Sequence, residues 1–225
     1  GPKKWVELKA TLVFLDEMGS SKVVPIKSTW ARRGQTPSVR TAIDHYDRLN
    51  VIGAMLISPA GRHLRLKVQT TEEKVNGETV VRFLKALLDQ VAGPILLVWD
   101  NAKFHIQGAA KRFLQANPRV RVIWLPKYAP ELNPVEQLWA QVKEYLANKL
   151  ILTPAELRCK VHAALQRARA SRKRLEACLA GCQLPWNRRS SRCLFKAQYQ
   201  FFTGTLGSVT GVEPDPNPGN NTASE

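Results

Sequence analysis

From Thr11 to Thr71 the apolar positions fall in short runs with the two-residue rhythm of strands; from Asn76 onward they recur mostly at helical spacing. Thr11–Glu17 (TLVFLDE) predicts a first strand. KVVPIKSTW follows Gly19-Ser20-Ser21 and is expected to return as its hairpin partner, with Pro25 marking an edge or a bulge. ARRGQTP reads as a loop. SVRTAI and RLNVIGAMLISP predict further strands, and GRHLRLKVQT turns and then sets His63, Arg65 and Lys67 against Leu64, Leu66 and Val68.

The longer period begins with NGETVVRFLKALLDQVAG, where Val80, Phe83, Leu84, Leu87 and Leu88 form one helix face that ends at Gly93-Pro94. PILLVWDN is a continuous apolar run closed by an acid, as expected of a strand buried on both faces. IQGAAKRFLQANP predicts a short helix stopped by Asn117-Pro118, and RVRVIWLP another strand. PVEQLWAQVKEYLANKL predicts an amphipathic helix with the stripe Val135, Leu138, Trp139, Val142 and Leu146. A further helical stretch opens on a capping box, Thr153 to Glu156, and carries the basic cluster RARASRKR. Strands first, then strand and helix in alternation, predict an α/β fold: a mixed sheet with helices on its faces. The Gly-, Pro- and Asn-rich end is expected to be disordered.

Charge narrows the function. Lys and Arg number 34 against 18 acids, and since Thr205 onward holds three acids and no Lys or Arg, residues 1–204 carry +19. Such a field favours polyanions, nucleic acid above all. No apolar run approaches the roughly 20 residues of a membrane span, and GPKKWVELK lacks the core of a secretory signal, so the expectation is an intracellular protein. Cys178 and Cys182 fall on one helix face with Cys193 beyond Pro185-Trp186. A zinc site there is conceivable, but free thiols in a reducing compartment are the expected state.

Three acids stand out by position. Asp16 ends the first strand, Asp100 ends ILLVWD, and Glu136 lies in the first turn of a helix after another strand. Acids at the carboxyl ends of neighbouring strands can converge, and ligands of open α/β sheets bind at that edge. Clustered carboxylates call for a cation, and an oxygen-only donor set selects Mg²⁺ or Mn²⁺. Two such ions would suit phosphodiester displacement. Each acid also has a plainer reading: turn chemistry for Asp16-Glu17, a helix cap for Asp100-Asn101, and a capping box with Asn133 for Glu136.

FLDE, WARRGQTP, VWDNAKFH and LPKYAPELNPVEQLWAQVK, in this order, resemble the catalytic domain of DDE transposases of the mariner superfamily, in particular its bacterial insertion-sequence branch. The resemblance covers roughly residues 10 to 150. It implies an RNase H-like fold and a catalytic, metal-binding triad at Asp16, Asp100 and Glu136. It also implies Mg²⁺-dependent cleavage at transposon ends, joining of the freed 3′-hydroxyls to a target, usually TA-containing, and work as a dimer or larger synaptic assembly. A cytoplasmic, nucleoid-associated bacterial protein is the corresponding expectation.

Asn101 and His105 fit the D-N-x-x-x-H block, with a role in ordering the metal site or contacting DNA; a helix-start hydrogen bond is the alternative for His105. Asn133 fits the N-P-x-E turn, where capping is expected to be its whole task. Trp30, Arg32 and Arg33 fall in a block resembling a loop that contacts transposon ends. Lys103, Lys127 and Tyr128 flank the expected active edge, and Arg172, Lys173 and Arg174 lie in the basic helix; all are candidate DNA contacts. The expected organisation is a catalytic domain over 1–152, a basic helical extension over 153–204 and a disordered tail over 205–225. Transposases of this type place one or two helix-turn-helix units before the catalytic domain, and nothing before Asp16 could form one. Sequence-specific end recognition by this chain alone is therefore not expected. Two other readings remain: a DNA-binding or assembly module without useful catalysis, and an RNase H-like nuclease without strand transfer.

Overall fold

One five-stranded sheet in the order β3-β2-β1-β4-β5 organises the molecule. The computed structural model describes residues 9–42, 47–61 and 63–183. Its elements are β1 (Thr11–Ser21), β2 (Arg48–Ile57), β3 (Leu64–Thr71), α1 (Gly77–Leu88), β4 (Ile95–Trp99), α2 (Lys103–Ile106), α3 (Gly108–Ala116), β5 (Val120–Trp124), a 3-10 turn (Pro130–Leu132), α4 (Pro134–Leu146), α5 (Pro154–Arg169) and α6 (Arg172–Gly181). β2 runs antiparallel to both β1 and β3, whereas β4 and β5 are parallel to β1.

Strand alternation sorts the core into two layers. Leu12, Phe14 and Met18 of β1 face Val135, Leu138, Trp139 and Val142 of α4, together with α5 and α6. Val13 and Leu15 face the opposite layer, built on Val80, Phe83 and Leu84 of α1 and Ala110 and Phe113 of α3. The helix starts follow the sequence signals. Asn76 and Thr79 close a capping box on α1, and Thr153 and Glu156 close the expected one on α5. α5 and α6 bury Leu157, Val161, Leu165, Leu175 and Leu179 in the same layer as α4. Cys178 and Cys182 are buried there, in no disulfide among the described residues, and burial pushes the Cys178 thiol up to about 12. Cys193, most of the expected basic extension beyond α6 and the predicted disordered tail lie outside the described residues.

Four expectations are corrected. β1 does not end at Asp16-Glu17: it pairs on through Gly19, Ser20 and Ser21, so Asp16 lies inside the strand and no turn follows it there. KVVPIKSTW is not the partner of β1: residues 22–30 form no strand, and β1 pairs with β2 instead. Pro25 cannot donate to a ladder, and the segment lacks the apolar density of β2, where Val51, Ile52 and Ala54–Ile57 are buried. SVRTAI forms no strand over its described residues, 38–42, which lie in a largely exposed arm. That arm is tied at its root by Asn148, whose side chain bonds the backbone N–H and carbonyl of Lys27. Finally, the helix expected through residues 106–118 is two pieces, because Gln107 is extended and Gly108 takes φ +57°, a conformation that favours glycine.

Candidate active site

The parallel pairing of β1 with β4 runs from Thr11↔Ile95 to Phe14↔Val98, and continuing that register sets Asp16 opposite Asp100. Both are even-numbered, so both belong to the α4 face of the sheet. The third acid arrives on α4, whose start is stitched to β1 by Asn133. Its Nδ2 donates to the Leu15 carbonyl at 3.0 Å, and its Oδ1 accepts from the Val135 N–H at 3.1 Å. Asn133 therefore does more than the capping that the sequence led us to expect as its whole task. It fixes the helix one residue from Asp16 and leaves Glu136, at the N3 position, without a capping bond.

One turn further along, Trp139 Nε1–H donates to Asp16 Oδ2 at 2.8 Å. The indole lies against Gly53, the cross-strand partner of Asp16, so closely that a Cβ there would come within 2.5 Å of the ring. Asp16, Asp100 and Glu136 line one cleft of about 480 Å³ together with Asn101, Lys103, Lys127, Tyr128 and Asn133. Tyr128 is 99% exposed at the mouth and has φ +58°.

The acids are held differently. Burial, and then the charges of Glu136 and Glu17, push the Asp16 carboxyl up to about 8 despite the Trp139 bond. Burial also raises Glu136, with Lys143 opposing and Asp100 adding to the rise. Asp100 is driven upward by burial too, yet hydrogen bonds from His105 and the Ala102 N–H outweigh this and hold it below its ordinary value. Asp100 is thus the acid kept ionised by the fold.

His105 sits behind Asp100, fully buried at 0% exposure and tilted against Trp99 with ring centroids 3.8 Å apart. Its Nδ1 bonds Asp100 Oδ1, and its Nε2 lies 3.3 Å from Glu17 Oε1. Burial disfavours its charge, but the two carboxylates raise it to about 9, so it is an imidazolium at neutral pH. Asn101 ties the ends of two strands together by donating to the Leu125 carbonyl at 2.7 Å.

Sequence reasoning missed Glu17. The signal was its parity: it shares a face with Val13 and Leu15, and an acid on a buried face needs a cationic partner. Reasoning also missed the indole bond to Asp16, although a buried tryptophan usually finds an acceptor. The remaining candidates lie apart from the cleft. Trp30 (100% exposed), Arg32 and Arg33 are on the arm, and Arg172 lines a groove at the other end of the sheet. Lys173 is exposed and Arg174 half-buried on α6.

The family of DDE superfamily endonucleases matches residues 11–158, a span that holds all three acids. The chain belongs to that family. This DDE endonuclease-family chain has the fold of Mos1 transposase in its paired-end complex with the left transposon end, at TM-score 0.52 and 18% identity over 80% of this chain and 60% of that one. The Mos1 strand transfer complex gives TM-score 0.51 and 19% identity over 80% and 58%. A pre-cleavage Mos1 transpososome gives 0.51 and 18% over 79% and 56%. The chain thus spans less than two-thirds of those Mos1 chains, and the mixed sheet with its flanking helices is RNase H-like. A comparison with curated proteins gives no match.

A stability prediction follows for this DDE endonuclease-family chain without metal. The folded Asp16 carboxyl is raised from 3.8 to about 8. Its contribution is fully present below its unfolded value and is lost as pH rises toward 8, because the unfolded chain ionises first. Asp16→Asn keeps an acceptor for Trp139 and abolishes this loss. Its melting temperature should exceed that of the wild type by a margin that grows between pH 5 and pH 8. A constant margin across that range would contradict the assignment.

Proposed function

We propose that this chain is the catalytic domain of a DDE transposase that cuts DNA at transposon ends and joins the freed 3′-hydroxyl to target DNA. The observation that carries this reading is the convergence of Asp16, Asp100 and Glu136 on one cleft rimmed by Lys103, Lys127 and Tyr128. Two of the Mos1 structures are a paired-end complex with the left transposon end and a strand transfer complex. We extend that activity here together with its corollaries: a bacterial insertion-sequence origin, a nucleoid location, a TA-containing target and a dimeric or larger synaptic complex.

The donor set suits a hard divalent cation. It offers carboxylate oxygens only, and Asp16 is an acid whose ionisation the fold opposes and a cation would restore. Asp16, Asp100 and Glu136 would hold Mg²⁺ or Mn²⁺, as two ions in this reading; when bound, the metal supplies an activated oxygen nucleophile and neutralises the leaving oxygen. Among the described residues no group of three His, Cys, Asp or Glu side chains is already placed to hold an ion, so the three carboxylates would have to approach one another to share one.

The protein's own tasks are then distinct. Asn133 and Trp139 orient α4 and Asp16, while His105 and Glu17 keep Asp100 ionised and aimed. Lys103 and Lys127 receive the phosphate backbone, and Tyr128 offers a face for an unpaired base. Hydrolysis breaks a P–O3′ bond and leaves a 3′-hydroxyl. Attack of that hydroxyl on a target phosphodiester conserves the number of P–O bonds, so joining needs no energy-carrying cofactor.

The open spacing of the acids also favours a second reading, a DNA-binding assembly module without chemistry. Pre-cleaved element ends, a target plasmid and Mg²⁺, Mn²⁺ or Ca²⁺ decide between the two. The proposed activity gives joined product with Mg²⁺ or Mn²⁺, binding without product in Ca²⁺, and no product from Glu136→Gln in any metal. Binding of authentic ends with no product in any metal selects the module.

A further inference from the structure

The opposite end of the sheet carries a groove of reversed character. It is lined by Thr11 at the start of β1, Ser58 just after β2, and the residues that lead into β4. A contiguous pocket extends it along β3 and shares Arg65, Gln90, Arg169 and Leu175 with it. The charged side chains of the two are His63, Arg65, Lys67, Arg169 and Arg172, with no acid among them. The acids of the catalytic cleft therefore crowd one end of the sheet, and cations line the other.

Some of these cations are already engaged. Lys67 donates to the Ala86 carbonyl, and Arg172 pairs with Glu176 at 2.7 Å. Arg65 and Arg169 are exposed and have no hydrogen bond or ion pair among the described residues. The helix beside them adds a second, independent observation. α6 opens on Arg172, Lys173 and Arg174 with no acid in its first turn, so three cations sit at the positive end of its dipole. That arrangement works against the helix, and Glu176 answers only Arg172 of the three.

We infer that this groove binds the phosphate backbone of a second DNA duplex, separate from the one presented to the acids. The inference rests on the reading of the chain as a DNA-acting enzyme. A duplex laid across the acid-bearing end of the sheet does not reach the groove: Thr11 and Asp16 are about 16 Å apart along the strand at about 3.3 Å per residue. The sheet faces between them are covered by α4–α6 on one side and by α1 and α3 on the other. A duplex stiff over about 150 base pairs cannot fold round that obstacle. Two guanidinium groups with free forks suit phosphate oxygens, and Ser58, Thr11 and Gln90 offer neutral partners beside them.

The test uses the full chain in EDTA at low salt, with a short labelled duplex titrated by fluorescence anisotropy. The wild type is expected to take two duplexes per chain. Arg65→Ala with Arg169→Ala should take one, and should lose at least about tenfold in affinity for the second, with a salt slope lower by about 1.8 for two lost phosphate contacts. Both arginines are exposed and unpaired, so an unchanged melting curve is expected; Arg65→Lys with Arg169→Lys should keep two duplexes. The inference is overturned if the alanine pair still binds two duplexes with the wild-type salt slope, or if the wild type binds only one. It is also overturned if polyglutamate displaces DNA from the groove at equal charge concentration, which assigns the groove to an acidic protein. No metal or turnover enters these measurements, so a failure of the catalytic reading would leave the duplex count standing.

Discussion

Asp100→Asn is expected to leave a folded protein that binds DNA at least as well as the wild type and no longer cuts it. The side chain keeps its shape and an oxygen that can accept from the Ala102 N–H, a bond of 3.1 Å in the wild type. What disappears is the negative charge that the fold takes most trouble to preserve, since burial alone would raise this acid and His105 reverses the effect. If loss of this ligand removes about 4 kcal/mol of transition-state stabilisation, the rate falls about 10³-fold. Removing an anion beside the DNA phosphates strengthens binding, so affinity and rate should move in opposite directions. Gel-based cleavage and anisotropy on the same preparation measure both. A variant that binds more weakly and cuts nearly as well would remove Asp100 from the metal site. The imidazolium is a further readout: with Asp100 neutral, His105 keeps only Glu17, and its pKa should fall from about 9.

Gly53→Ala should damage both stability and activity. The new Cβ would lie 2.5 Å from Cη2 of Trp139, a rigid side chain that is itself buried. Neither partner can give way without moving β2 or α4, and overpacking of this kind costs about 1–3 kcal/mol. For a chain of this size that is a fall of roughly 2–4 °C in melting temperature per kcal/mol. The displaced indole also releases Asp16, so activity should fall by more than the lost stability explains. Gly53→Ala with Trp139→Phe makes room but withholds the Nε1–H donor. The double variant is expected to regain melting temperature without regaining activity. Recovery of both would show that the indole bond to Asp16 is unimportant.

What could be read from the sequence had local causes. Asp100 and Glu136 were visible because a strand end and a helix start leave short signatures, Asn133-Pro134 among them; Asp16 stood out as an acid after an apolar run, although the strand continues past it to Ser21. The partner of β1 was not visible, because pairing is long-range. The nearer segment carrying Pro25 looked sufficient until β2, with its unbroken buried face, was seen to displace it. Gly53 was a missed opportunity, since a glycine inside a strand often marks a close approach by another group. Glu17 needed both its parity and the position of His105, and only the first of these is written in the chain near it.

The order of elements also has a consequence in time. Asp16 lies on β1, but its parallel neighbour β4 and the helix that orients it, α4, come far later in the chain. At about 5–20 residues per second, the roughly 120 residues between Asp16 and Glu136 take about 6–24 s to synthesise. During that interval the emerging chain already displays lysines and arginines, but it lacks Glu136, Trp139 and the Asn133 stitch. An unfinished molecule can cling to nucleic acid and yet has no complete acid set with which to cut it. In the proposed reading, cutting therefore has to wait until α4 has been made, by topology alone.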